Sequence, residues 1–121
     1  MKYLCLVLLV SIALSSEEIY NLDRSDMVLI PVNGYAKMKI SSNTEYGIIW
    51  IPSRYEPRLE FENLTGDILL ENNVEFQVFT AKCTEECHED DFFLMSMMRT
   101  SGNMYSPPQE HAVMIRVIAP V

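Results

Sequence analysis

Cys87 and His88 are adjacent, and a thiol beside an imidazole is the pairing that activates a cysteine nucleophile. Neighbouring side chains on an extended strand point to opposite faces, so these two could meet only within a turn. A structural loop is the simpler reading. Neither His88 nor His111 stands in a recognisable nucleophile motif, and the serines fall mostly in turns. The chain is therefore expected not to be an enzyme. Glu85, Glu86, Glu89, Asp90 and Asp91 form an acidic run, but the Asp-x-Asp-x-Asp-Gly spacing and distal Glu of a calcium loop are missing. A metal centre would need more ligands than Cys83, Cys87 and His88, and the other histidine is the distant His111. Neither metal nor cofactor is expected. Cys83 and Cys87 can bridge as a local disulfide in an oxidising compartment, with free thiols the alternative. Asn63-Leu64-Thr65 is an N-glycosylation sequon in a turn-like context.

The 121 residues carry 9 Lys plus Arg against 17 Asp plus Glu, a formal charge of −8. That balance argues against nucleic acid and anionic membranes as partners, because both demand a surplus of basic side chains. A hydrophobic content of 49% excludes disorder and implies a packed core. At the start, Lys2 precedes an apolar run from Tyr3 to Leu14 broken only by Ser11, and Ala13-Leu14-Ser15 resembles a cleavage site. This is the pattern of a secretory signal peptide over residues 1–15, leaving one domain over 16–121. The run is shorter than the roughly 20 residues a membrane-spanning helix needs. The expected route is secretory, ending outside the cell or in a lysosome or vesicle. Cys5 would leave with the signal.

Beyond that segment the sequence alternates with period two. Strands are expected over Met27–Val32, Tyr35–Ile40, Ile48–Ile51 (ended by Pro52), Arg58–Glu62, Val74–Thr80, Phe92–Met98 and Ala112–Ala119. No window carries a capped helical stripe. An all-β sandwich or barrel of about seven or eight strands follows, its loops gathered at two ends. Trp50, on a central strand, reads as core. Met95, Met97, Met98 and Met114 read as gap fillers. The loop before Trp50, from Ser41 to Gly47, holds Asn43 and Gly47 four apart, with Gly47 suited to a positive φ.

This segment resembles the chagasin family of papain-like cysteine peptidase inhibitors. That family carries Asn-Pro-Thr-Thr-Gly, two residues, then Trp. Asn43, Gly47 and Trp50 stand in that register, with Thr44, Glu45 and Tyr46 as the interior. The family's next contact loop has a Gly pair before a Thr-Glu-aromatic-x-Val strand. Asn72 and Asn73 occupy that place ahead of Val74-Glu75-Phe76-Gln77-Val78. Its third loop opens with Arg-Pro-aromatic, and here Arg99, Thr100 and Ser101 follow an aromatic and methionine-rich strand. The resemblance implies an immunoglobulin-like β-sandwich whose three loops block a peptidase cleft reversibly. It further implies a papain-like, cathepsin-type partner for a monomeric inhibitor. Within it, Asn43 would shape the central loop through side-chain bonds, Trp50 would anchor the loop base, and Arg99 would reach the peptidase. The other reading is a secreted immunoglobulin-like recognition or adhesion module without inhibitory activity.

Overall fold

The computed structural model describes residues 19–100 and 109–120; the expected signal peptide and Ser101 lie outside the described residues. Among the described residues nine strands form two sheets. The first sheet places β1 (Ile19–Asn21), β3 (Tyr35–Ser41) and β7 (Val74–Cys83) side by side. The far edge of β7 is shared by β5 (Leu59–Phe61) and β6 (Asp67–Glu71). The second sheet runs β2 (Met27–Pro31), β9 (Gln109–Ile118), β8 (Phe92–Thr100) and β4 (Ile49–Arg54). β1 pairs parallel with β3 and β2 parallel with β9, while every other pairing is antiparallel. The all-β, immunoglobulin-like sandwich expected from the sequence is the observed architecture.

Alternation decides which face of each strand is buried. Ala36, Met38 and Ile40 of β3 pair with Ala81, Phe79 and Gln77 of β7 on the inner face. Met95 and Met97 of β8, with Val113, Ile115 and Val117 of β9, close the core from the other sheet, all fully buried. Burial of this apolar surface, at about 25 cal/mol per Å², holds the two sheets together. Phe79 sits at the centre of the core with no exposed surface.

Two strands were not expected from the sequence. β1 is short, and β6 (Asp-Ile-Leu-Leu-Glu) is exposed or half-buried throughout, so it presents no alternating pattern. β4 also continues through Pro52 to Arg54 where the sequence reading stops it at Ile51. β4 lies at the edge of its sheet and the register shifts between Pro52 and Arg54, which is where a proline without an N–H is tolerated. Gly66, at φ 70°, precedes β6; a Cβ there would lie 2.9 Å from the Val78 carbonyl oxygen. That contact and the left-handed φ select glycine.

Candidate functional site

β7 is ten residues long, so its two ends define opposite poles of the sandwich. At the Val74 end, three segments meet. The β6–β7 hairpin turns through Asn72 and Asn73 between the paired Glu71 and Val74. Ser41 pairs with Phe76, and Ser42 N–H donates to the Glu75 carbonyl at 3.1 Å, which brings the β3–β4 loop beside that hairpin. Ile49 pairs with Thr100 and Trp50 with Arg99, which brings the end of β8 to the same pole. Asn43, Thr44, Glu45, Tyr46, Gly47, Asn72, Asn73, Arg99 and Thr100 thus share one end of the molecule. The acidic run from Glu85 to Asp91 follows the Cys83 end and lies at the other pole.

The β3–β4 loop is a single 3₁₀ turn, Thr44–Tyr46, closed by backbone bonds. Asn43 and Ile48 exchange N–H to carbonyl bonds at 3.0 and 2.9 Å, and Tyr46 N–H donates to the Asn43 carbonyl at 3.1 Å. Gly47 ends the turn at φ 76°, the left-handed region that a Cβ disfavours. Asn43 makes no side-chain cap here. Its backbone shapes the loop, in place of the side-chain bonding implied by the resemblance. Asn72 and Asn73 take φ 52° and 65°, the pair of left-handed residues that a two-residue hairpin with native twist requires.

Glu75 and Gln77 hold this loop, and the sequence reading assigned neither a role. The Glu75 carboxylate accepts from the Ser42 hydroxyl at 2.7 Å, the Thr44 N–H at 2.9 Å and the Thr44 hydroxyl at 2.7 Å. The Ser42 hydroxyl, followed by the hydroxyl and N–H of Thr44, lowers its pKa below the ordinary carboxylate value. Gln77 is 1% exposed and substitutes for a strand neighbour. Its Oε1 accepts from Trp50 N–H at 2.6 Å, while its Nε2 donates to the Trp50 carbonyl at 3.0 Å and the Thr65 carbonyl at 2.7 Å. One amide therefore ties β7 of one sheet to β4 of the other. The available signal was a polar residue inside the apolar run Phe76–Phe79, a position that burial permits only with partners.

Trp50 lies at the base of the loop. Its ring is buried, its Nε1–H donates to the Ser41 carbonyl at 3.0 Å, and His111 meets it edge-on at 6.1 Å between centroids. The Thr100 hydroxyl lies 3.2 Å from both the Gly47 and Ile49 carbonyl oxygens. Arg99 is half-buried with its guanidinium 6.0 Å from the Trp50 ring centroid. Its buried Nε has no hydrogen-bond partner among the described residues. Tyr46 is 69% exposed, so the loop projects an aromatic ring and the Glu45 carboxylate outward from a fixed base.

The remaining sequence sites fall elsewhere. Cys83 and Cys87 form the local disulfide, both buried, at the pole opposite the loop. Asn63 is exposed between β5 and β6, and its Oδ1 accepts from the N–H and hydroxyl of Thr65 at 3.0 and 2.8 Å. Among the described residues no three His, Cys, Asp or Glu side chains are grouped to hold a metal ion.

No protein-family model and no curated protein matches the chain. Solved structures do match. The cysteine protease inhibitor EhICP2 from Entamoeba histolytica superposes with a TM-score of 0.61 at 10% identity, over 83% of this chain and 93% of that one. Amebosin superposes with a TM-score of 0.58, also at 10% identity, over 85% of this chain and 99% of its own. At identity this low the likeness is one of fold alone.

Proposed function

We propose that this protein is a reversible inhibitor of papain-like cysteine peptidases, occluding the active-site cleft with the segments gathered at the Val74 pole. The observation that carries this reading is the convergence of three separated stretches, Asn43–Gly47, Asn72–Asn73 and Arg99–Thr100, on one end of a rigid sandwich. The fold shared with EhICP2, a protein described as a cysteine protease inhibitor, supports it further.

In this reading the 3₁₀ turn enters the cleft over the catalytic cysteine, flanked by the hairpin and the end of β8. Two anchors act on the turn: Glu75 grips its first residue, and Gln77 and Trp50 fix the strand that leaves it. A loop ordered before binding loses less entropy on docking. It also resists cleavage, because a carbonyl held away from attack geometry is not converted to product. Ser101, next after Thr100 in the sequence, is a further peptidase contact in this reading. We further place the protein in the secretory route, with residues 1–15 removed, 16–121 as the inhibitory domain, and a glycan on Asn63. The test is titration of papain-like and cathepsin-type enzymes with the purified chain at acidic and neutral pH. Stoichiometric, reversible loss of activity is expected; full activity across the panel at micromolar inhibitor refutes the proposal.

A further inference from the structure

A hollow of about 600 Å³ opens beside β5, lined by Tyr55, Glu60, Phe61 and Leu64 among others. That volume falls within the range of about 300–1,000 Å³ of small-ligand sites. Tyr55 and Phe61 meet edge to face, with centroids 4.9 Å apart and planes at 75°, so neither ring is stacked and both lend surface to the hollow. Both are half-buried, and Leu64 is exposed. Between the lining residues Phe61 and Leu64 stands Asn63, the asparagine of the sequon. The turn that carries it is held on several sides. Gly66 N–H donates to the Asn63 carbonyl at 3.3 Å, and the Thr65 carbonyl accepts from the Gln77 amide at 2.7 Å. Asn63 Nδ2 donates to the Gly66 carbonyl at 3.3 Å. An amide nitrogen has two hydrogens, so one is left for substitution.

We infer that this hollow receives the first N-acetylglucosamine of a glycan on Asn63, its apolar face packed on Phe61 and Tyr55, so that the modification stabilises the fold. The inference rests on the secretory placement and the Asn63 glycan proposed above. On attachment the Nδ2–C1 bond forms and the bond from C1 to the pyrophosphate of an activated oligosaccharide donor breaks. The pyrophosphate leaves with the electron pair, and one Nδ2 proton is released. The second hydrogen remains available to the Gly66 carbonyl. Proximity identifies the first sugar as the occupant, because Phe61 and Leu64 stand two positions and one position from its attachment point. A pyranose has a C–H face and a hydroxyl rim. The C–H face matches the surface of the two rings and of Leu64, which it removes from water. The exposed Glu60 carboxylate offers an acceptor to the hydroxyl rim. The turn is ordered before modification, so little further ordering opposes the contact. Glu62 N–H donates to the Thr80 carbonyl, six residues along β7 from Val74. At about 3.3 Å per residue the glycan therefore stands about 20 Å from the Val74 pole and leaves it open.

The experiment compares thermal unfolding of the chain secreted from a eukaryotic host, its glycan trimmed enzymatically to one N-acetylglucosamine, with the same chain made without sugar in a bacterial periplasm. The sugar should raise the midpoint by about 4 °C or more. Phe61→Leu, made in both forms, should cut that increment at least by half, which isolates the ring–sugar coupling from the cost of the substitution itself. Tyr55→Leu supplies the same cycle should Phe61→Leu not fold. In proton NMR of the unsubstituted glycoform, ring currents should move sugar resonances upfield of those of a free asparagine-linked N-acetylglucosamine. A glycoform no more stable than the bare chain overturns the inference, as does an increment indifferent to the ring substitutions or a sugar with unshifted resonances. A secreted chain bearing no sugar on Asn63 overturns the glycan and this inference together. The inhibitory reading is decided separately by the peptidase titration, which the bare chain serves equally well.

Discussion

Replacing Gln77 by Met keeps the volume of the side chain and removes the amide that links the sheets. The Trp50 N–H and carbonyl, both in buried contact with that amide, then lose their partners. Each orphaned buried group costs about 2 kcal/mol, hence about 4 kcal/mol for the pair. The Thr65 carbonyl is only part-buried and can turn to water, so it adds little. Burying a thioether in place of an amide returns about 1 kcal/mol, leaving a net loss of about 3 kcal/mol. For a small domain stable by about 5–15 kcal/mol this is a large fraction. Urea unfolding followed by Trp50 fluorescence should show the midpoint lowered by about 1.5 M, taking a slope of about 2 kcal/mol/M. Gln77→Glu retains an acceptor for the Trp50 N–H but cannot donate to either carbonyl, and should be at least as damaging. If both variants shift the midpoint by less than about 0.5 M at unchanged slope, the bridging role assigned to Gln77 is wrong.

The Glu75 carboxyl has a lowered folded-state pKa, so its hold on Ser42 and Thr44 is complete above the ordinary carboxylate value near 4.5 and lost as pH falls through the lower folded value. Inhibition should therefore be flat from pH 7 to 5 and decline below about pH 4.5, with Glu75→Gln abolishing that acid limb in a Ki-against-pH profile. Gly47→Glu places a Cβ at φ 76° and a charge on the turn, and should weaken inhibition at least tenfold, about 1.4 kcal/mol, in the same titration. Cys83→Ser with Cys87→Ser opens a small ring between residues four apart; the chain-entropy model bounds the loss at about 2 kcal/mol, read by thermal unfolding. Because that bridge lies at the far pole, inhibition at 25 °C should not change.

β3 was legible in the sequence because one face is buried and the other wet, which writes alternation directly into residue type, whereas β8 and β9 were legible as short, largely apolar runs bounded by turn residues. The left-handed positions Gly47, Asn72 and Asn73 were legible because few residues tolerate that backbone. β6 left no such mark: it hangs on the edge of β7 with little covering either face. Its strand character comes from the ladder it completes. Gln77 showed in the sequence only as a polar residue in an apolar run and Glu75 not at all, since their hydrogen bonds to Ser42, Thr44 and Trp50 depend on a strand from the opposite sheet and a loop some thirty residues away. Local sequence specifies which backbone shapes are allowed and which faces seek burial. Only the closure of the two sheets decides which polar group meets which orphaned donor, because those partners are distant in sequence and become neighbours only once the core has packed.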